Sequence, residues 1–201
     1  MVTIIDYGSG NLRSVQKAFE RIGVQAEITG DPQRVAEARR VVLPGVGAFG
    51  DAMRELHARG LVGPIVEHVR AERPFFGICM GLQLLFETGW EGGEHRGLGL
   101  LAGDVARFDL PVGAKVPHMG WNTVAWTAAA GTRGGQADDW YYFVHSYVAR
   151  PRDEGLIAGL TDYGTPFCSA VASGRLFATQ FHPEKSQGAG MRLLQGFVNA
   201  G

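Results

Sequence analysis

Short apolar runs and helical spacings alternate through the first half of the chain. Residues 2–5 read as a buried strand and lead into the turn Gly8-Ser9-Gly10-Asn11; Leu12, Val15, Phe19 and Ile22 then recur on one helical face, with Gly23 as a stop. Residues 24–28 alternate like a strand, and Asp31-Pro32 supplies an N-cap with proline in the first turn of the next helix. A strand at 41–43 runs into Pro44-Gly45-Val46-Gly47, followed by helices over 49–58 and 65–71, a strand at 75–78, and a buried helix at 82–86. The second half predicts mainly strands, at 105–108, 123–126, 140–144, 156–160, 167–172 and 176–179. Residues 128–139, rich in Ala, Gly and polar groups, read as an exposed loop, and Ser186 as the cap of a last helix with Met191, Leu194 and Val198 on its apolar face. The pattern predicts an α/β fold: a central, mostly parallel sheet flanked by helices, with an antiparallel extension in the second half, in one domain over residues 1–201.

Composition narrows the function classes. The chain has 201 residues, 45% of them apolar and 19% charged, as expected for a folded globular protein. A net charge of −1 gives no broad attraction to nucleic acid or anionic membrane. No signal-like N-terminus and no run of roughly 20 apolar residues are present, which points to a cytoplasmic protein. The thirty glycines are scattered and not periodic, consistent with many tight turns. The two cysteines, Cys79 and Cys168, form no C-x-x-C pair, so neither a zinc site nor a redox pair is expected.

The densest chemistry lies at Gly77-Ile78-Cys79-Met80-Gly81, where an apolar strand ends and a helix begins. This is the spacing of a nucleophile elbow with cysteine in place of serine. The flanking glycines relieve crowding at a sharp turn, the positive end of the following helix favours the thiolate, and the N–H of Met80 would face a substrate oxyanion. Cys168, inside Phe167-Cys168-Ser169, reads as a buried structural residue.

A nucleophilic cysteine needs a base. Of six histidines, His57 and His68 read as solvated and His95 sits in a Gly-rich loop, whereas His118, His145 and His182 stand at element ends. In Gln180-Phe181-His182-Pro183-Glu184, an extended backbone would put Glu184 on the same face as His182, where it could orient the ring. The result is Cys79, His182 and Glu184 as nucleophile, base and orienting acid, with His145 as the rival base. The glycines around Val46 would let backbone N–H groups approach a ligand and add a second oxyanion donor. Gly8-Ser9-Gly10 is not a dinucleotide fingerprint, because Arg13 occupies the place of the third glycine.

Taken together, Pro44-Gly45-Val46-Gly47, Gly77-Ile78-Cys79-Met80-Gly81-Leu82-Gln83 and His182-Pro183-Glu184 resemble the class I (triad) glutamine amidotransferases. Asp6-Tyr7-Gly8-Ser9-Gly10-Asn11-Leu12, Val116-Pro117-His118-Met119-Gly120-Trp121-Asn122 and Tyr141-Tyr142-Phe143-Val144-His145-Ser146-Tyr147 are similar to the branch that serves imidazole glycerol phosphate synthases in histidine biosynthesis. The resemblance implies hydrolysis of glutamine through a Cys79 thioester, an oxyanion hole at Val46 and Met80, and glutamine contacts at Gly47, Gln83, Ser146 and Tyr147. No metal and no cofactor are expected, because a thiolate and an imidazole can do this chemistry alone. The resemblance also implies transfer of ammonia to a separate (β/α)8-barrel cyclase subunit, a heterodimer partner faced by Asn11, Pro117, Met119, Trp121, Tyr142 and Lys185. Three other readings stay open on the sequence: a glutaminase of another synthase, such as one making pyridoxal phosphate; a cysteine hydrolase of peptides or esters; and a non-enzymatic domain on the same fold.

Overall fold

The computed structural model describes residues 1–111 and 115–200. Its first half alternates strand and helix: β1 (Val2–Ile5), α1 (Leu12–Arg21), β2 (Ala26–Thr29), α2 (Pro32–Glu37), β3 (Val41–Gly45), α3 (Phe49–Ala58), α4 (Val62–Arg70), β4 (Phe75–Cys79) and α5 (Met80–Gln83). Then come β5 (Phe86–Gly89), β6 (His95–Arg96), β7 (Leu101–Arg107), β8 (His118–Thr123), β9 (Ala125–Trp126), β10 (Trp140–His145), β11 (Tyr147–Pro151), β12 (Ile157–Asp162), β13 (Pro166–Ser173), β14 (Leu176–Thr179) and α6 (Gln187–Asn199). In the main sheet β2-β1-β3-β4-β14 run parallel, and β13, β11 and β7 extend it antiparallel, with β5 and β6 beyond. The chain is therefore α/β, as its pattern predicts.

The inner parallel strands β1, β3, β4 and β14 are buried on both faces, which is why these segments are mostly apolar runs, whereas β2 at the sheet edge is only half-buried. Val2, Ile4, Val42, Phe76, Ile78 and Phe177 pack against Val15 and Phe19 of α1 and Leu193, Leu194 and Phe197 of α6. Ile5, Val41, Leu43, Phe75 and Ala178 meet Phe49, Met53 and Leu56 of α3 and Ile65 of α4 on the other face. Phe76 stacks between Phe177 and Phe197, at centroid distances of 5.7 and 5.3 Å. Asp31 caps α2 by accepting from the N–H of Gln33 at 2.9 Å.

Five local expectations need correction. The helix expected at 82–86 is one turn long, because Phe86 already pairs with Leu101 in the sheet. The strand expected at 123–126 is divided: β8 ends at Thr123 and β9 pairs separately with β12. Residues 128–139 are not a free loop. Thr127 caps a 3-10 segment over Ala128–Arg133, Arg133 donates to the carbonyls of Gly174 and Leu176, and Arg192 of α6 grips Asp139. Ser186 precedes α6 without capping it, since its hydroxyl is used elsewhere. Finally, His57 is exposed but His68, on the inner face of α4, is fully buried, with Nε2 3.0 Å from the Pro74 carbonyl.

Burial lowers His68 from 6.5 to about 4, so it is neutral in the fold where the unfolded chain would already carry a proton. The unfolded chain binds the extra proton between these values, so stability falls as pH drops from about 6.5 towards 4 and is insensitive to His68 above that window. Denaturant melts at pH 7 and pH 4.5 should show this loss, and His68→Gln should remove part of it.

Candidate active site

The site forms where the C-terminal ends of β3 and β4 lie side by side, Gly45 opposite Cys79. Cys79 closes β4 with φ +56° and ψ −106°, a conformation unusual for a residue with a side chain. Its neighbours are fitted to that turn. A Cβ on Gly81 would stand 1.8 Å from the Leu43 carbonyl oxygen, and one on Gly77 would stand 2.7 Å from the carbonyl of Gly81. The crowding expected around the elbow is therefore real. Helix α5 is too short to bring a sizeable dipole to the sulfur, so the local N–H groups at its start matter more than the helix as a whole.

The side chain of Cys79 is 6% exposed and opens on a cleft of about 390 Å³. Val46, Gly47, Met80, Gln83, Ser146, Tyr147 and His182 line the same cleft, so every residue expected to touch substrate or oxyanion gathers there. Pro117, Val144, His145 and Glu91 complete the wall. Glu91 also accepts from the N–H of Phe49 at the start of α3, at 2.8 Å. The Val46 carbonyl accepts from the hydroxyl of Ser9 at 2.6 Å, which fixes the orientation of the peptide joining Val46 to Gly47.

His182 and Glu184 are buried together, with His182 Nδ1 2.8 Å from Glu184 Oε1. The carboxylate accepts, so Nδ1 carries the proton and Nε2 is left for chemistry. Nε2 has no partner in hydrogen-bond geometry and lies beside the Cys79 sulfur. Burial alone would lower the imidazole; the sulfur and then Glu184 outweigh it, and the net shift is upward. The contact is made differently from the extended geometry expected. Pro183–Lys185 forms a 3-10 turn that folds Glu184 back onto the ring. Backbone bonds hold the turn: His182 donates its N–H to the Tyr142 carbonyl at 2.9 Å, and the Ser186 hydroxyl donates to the His182 carbonyl at 2.6 Å while accepting from the N–H of Tyr142 at 3.0 Å.

His145 is not available as a base. Its Nδ1 lies 3.0 Å from the Tyr147 carbonyl, which can only accept, so Nδ1 bears the hydrogen. Its Nε2 then accepts from Nδ1 of His118 at 3.0 Å. Both nitrogens are occupied, and burial lowers His145 to about 3 and His118 to about 4. The pair instead supports the cleft wall where Ser146 and Tyr147 lie. Cys168 is free and buried, and burial pushes its thiol up to about 12, which leaves it unreactive.

The expected partner residues mostly share a surface. In the β8–β10 pair, Trp121 faces Tyr142 and Met119 faces Val144, so these side chains stand on one side of the ribbon. Met119, Trp121, Pro117 and Lys185 are exposed, and Lys185 Nζ lies 5.7 Å above the Tyr142 ring. Asn11 is exposed at the start of α1, a helix that packs on the 183–185 turn. Trp140, 55% exposed on the same face, was not anticipated; its place in the alternation of β10 is the signal that marks it.

A cysteine at a strained strand–helix turn, a buried imidazole held by a carboxylate and a cleft of single-residue size together define a hydrolase or transferase that works through a thioester. The chain belongs to the class-I glutamine amidotransferase family, which it matches over residues 3–200. Among curated relatives it is 58% identical over 200 residues to the imidazole glycerol phosphate synthase subunit HisH of Rhodopirellula baltica, covering 100% of this chain and 98% of that protein. It is 50% identical over 196 residues to the HisH subunit of Aquifex aeolicus, covering 96% of this chain and 94% of that one. Among solved structures, one titled as a glutamine amidotransferase superposes with a TM-score of 0.78 at 19% identity, covering 100% of this chain and 98% of its own. PurLQS from Thermotoga maritima superposes with a TM-score of 0.74 at 18% identity, covering 98% and 97%, a likeness of fold.

Glu184 helps keep His182 protonated, so that form is lost only as pH rises through the raised value. Glu184→Gln should move the alkaline limb of the glutamine-hydrolysis profile to lower pH and cut the rate at neutral pH by on the order of a hundredfold or more. An unmoved limb would show that another group orients the ring.

Proposed function

We propose that this chain is the glutaminase subunit of an imidazole glycerol phosphate synthase, acting in the cytoplasm with a (β/α)8-barrel cyclase subunit. The observation that carries the reading is the Cys79–His182–Glu184 constellation, set in a cleft of about 390 Å³ in a chain more than half identical to a HisH subunit over its full length. That volume is at the small end for ligand sites and suits one amino acid.

The Cys79 thiol proton already rests on His182 Nε2, and the sulfur attacks the side-chain amide carbon of glutamine as a thiolate. The oxyanion lies against the N–H of Met80 and the backbone around Val46. His182 returns the proton to the departing nitrogen, the C–N bond breaks, and ammonia leaves a glutamyl thioester. Water then attacks the thioester carbon, gives a proton to His182, and displaces the sulfur as glutamate forms. Gly47, Gln83, Ser146 and Tyr147 hold the amino-acid end of the substrate. Gln83 spends both amide hydrogens on the Tyr147 and Gln180 oxygens, which leaves its own oxygen as an acceptor for the substrate ammonium.

Ammonia passes to the partner, which seats on the face bearing Met119, Trp121, Tyr142 and Lys185 and makes imidazole glycerol phosphate and an aminoimidazole carboxamide ribonucleotide. An aromatic, Met-bearing surface suits such a contact because it excludes water.

Glutamate release from glutamine should be slow for the chain alone, rise with the cognate barrel subunit and its nucleotide ligand, and vanish in Cys79→Ala. Hydrolysis indifferent to barrel and ligand would assign the glutaminase to another synthase. Trp121→Ala should weaken the complex by about 2 kcal/mol, on the order of thirtyfold in Kd, while leaving glutamine hydrolysis by the isolated chain intact; titration calorimetry against the barrel subunit checks it.

A further inference from the structure

Gln180 lies beyond the triad and the glutamine contacts, yet its side chain reaches the reacting sulfur. It is wholly buried and follows β14 directly, with its backbone N–H bonded to the Ser169 carbonyl at 2.8 Å. Residues 180 and 182 share one side of this short extended run, while Phe181 between them turns into the core. Gln180 and His182 thus both reach Cys79. Gln180 does so from behind, since it is not part of the cleft lining.

The direction of its amide is determined by a chain of donors. The Tyr147 carbonyl can only accept, so the nitrogen of Gln83 faces it, at 3.2 Å. The same nitrogen donates its second hydrogen to Gln180 Oε1 at 3.0 Å. With its oxygen committed, Gln180 presents its nitrogen to the sulfur of Cys79, at 3.7 Å. A flipped Gln180 amide would set nitrogen against nitrogen at Gln83 and oxygen against a sulfur lone pair.

We propose that Gln180 is a catalytic residue of this enzyme, a fixed N–H donor that stabilises negative charge on the Cys79 sulfur. The proposal rests on Cys79 being the nucleophile. A hydrogen bond to an anion is roughly twice as strong as one to a neutral group, so the contact favours the thiolate over both the thiol and the thioester. It acts in the resting enzyme, where it raises the fraction of reactive sulfur. It acts again in the second half of the reaction, when the C–S bond breaks, the electron pair returns to sulfur and the proton from water is on His182. The imidazolium stabilises the same charge from the other side. Gln180 cannot titrate, so its contribution persists when His182 is neutral.

The test uses the full chain and iodoacetamide, whose reaction with Cys79 reports thiolate without glutamine, with Cys79→Ala as the blank. Gln180→Glu keeps an oxygen for Gln83 to bond and removes the donor; Gln180→Leu removes both. In either variant the pH at which alkylation is half-maximal should move up by about one unit, a tenfold slower reaction at pH values below both midpoints. If both variants keep the unmodified chain's profile, the proposal is wrong, even where hydrolysis falls. A measurement on the unsubstituted chain guards against variants that do not fold: in a side-chain amide NMR titration, the Gln180 resonances should move with the same midpoint as thiolate absorbance. Resonances that ignore that midpoint overturn the proposal equally. Should alkylation at Cys79 leave glutamine hydrolysis untouched, the nucleophile assignment itself fails, an outcome distinct from an unchanged pH profile.

Discussion

The backbone of Cys79 is the constraint to which the surrounding elements are fitted. A side-chain-bearing residue at φ +56° costs on the order of 1–3 kcal/mol and persists only where its neighbours leave no alternative. Here β4 is hydrogen-bonded on both flanks, to β3 and β14, so its end cannot relax sideways. The chain must then turn into α5 within van der Waals reach of the Leu43 carbonyl, which only a glycine at 81 permits. Similar crowding recurs one strand over. A Cβ on Gly45 would stand 2.1 Å from the hydroxyl of Tyr7 and 2.9 Å from Cβ of Met80. The β3 side of the cleft is thus packed as tightly as the Cys79 side.

Around this fixed point the antiparallel half of the sheet contributes His145, Ser146 and Tyr147 to the cleft wall, and it holds the neighbouring side chains largely through backbone carbonyls. The Tyr147 carbonyl orients both Gln83 and His145, the Tyr142 carbonyl holds the His182 backbone, and the Ser169 carbonyl holds that of Gln180. Carbonyls cannot titrate or change donor sense, so each amide and imidazole they touch has one orientation. The low proton affinity of His118 and His145 suits the same design. Two neutral rings in series behave as a directional link, and stacking of His118 between Phe143 and Tyr163 keeps them dry.

The sequence made the parallel half of the fold legible because its inner strands are buried on both faces and its helices carry a single apolar stripe. The elbow was legible because steric demand writes glycine at 77 and 81. Other features were hidden by tertiary context. Leu82, Leu84 and Leu85 read as helix, but an apolar run of that length is equally a turn feeding a strand, and Phe86 enters the sheet. His68 looked solvated because its α4 neighbours are polar; only the chain returning through Pro74 buries it. Ser186 stands where caps stand, yet a strand edge from residue 142 takes its hydroxyl. Gln180 was passed over because an amide beside a histidine carries no motif of its own, and its meaning depends on Gln83 and Tyr147, which lie far away in the chain.

The β8–β10 pair joins the two surfaces that matter. Strand alternation sends Met119, Trp121, Tyr142 and Trp140 outward, and His118, Tyr141, Phe143 and His145 inward. The inward side chains support the wall at Ser146 and Tyr147, and the backbone of residue 142 anchors His182 and Ser186. The exposed face of this ribbon therefore shares its two strands with the backbone that holds His182 and leads directly into Ser146 and Tyr147. Side chains on these strands cannot change face without a register slip, so the division between the two faces is fixed by the pairing itself.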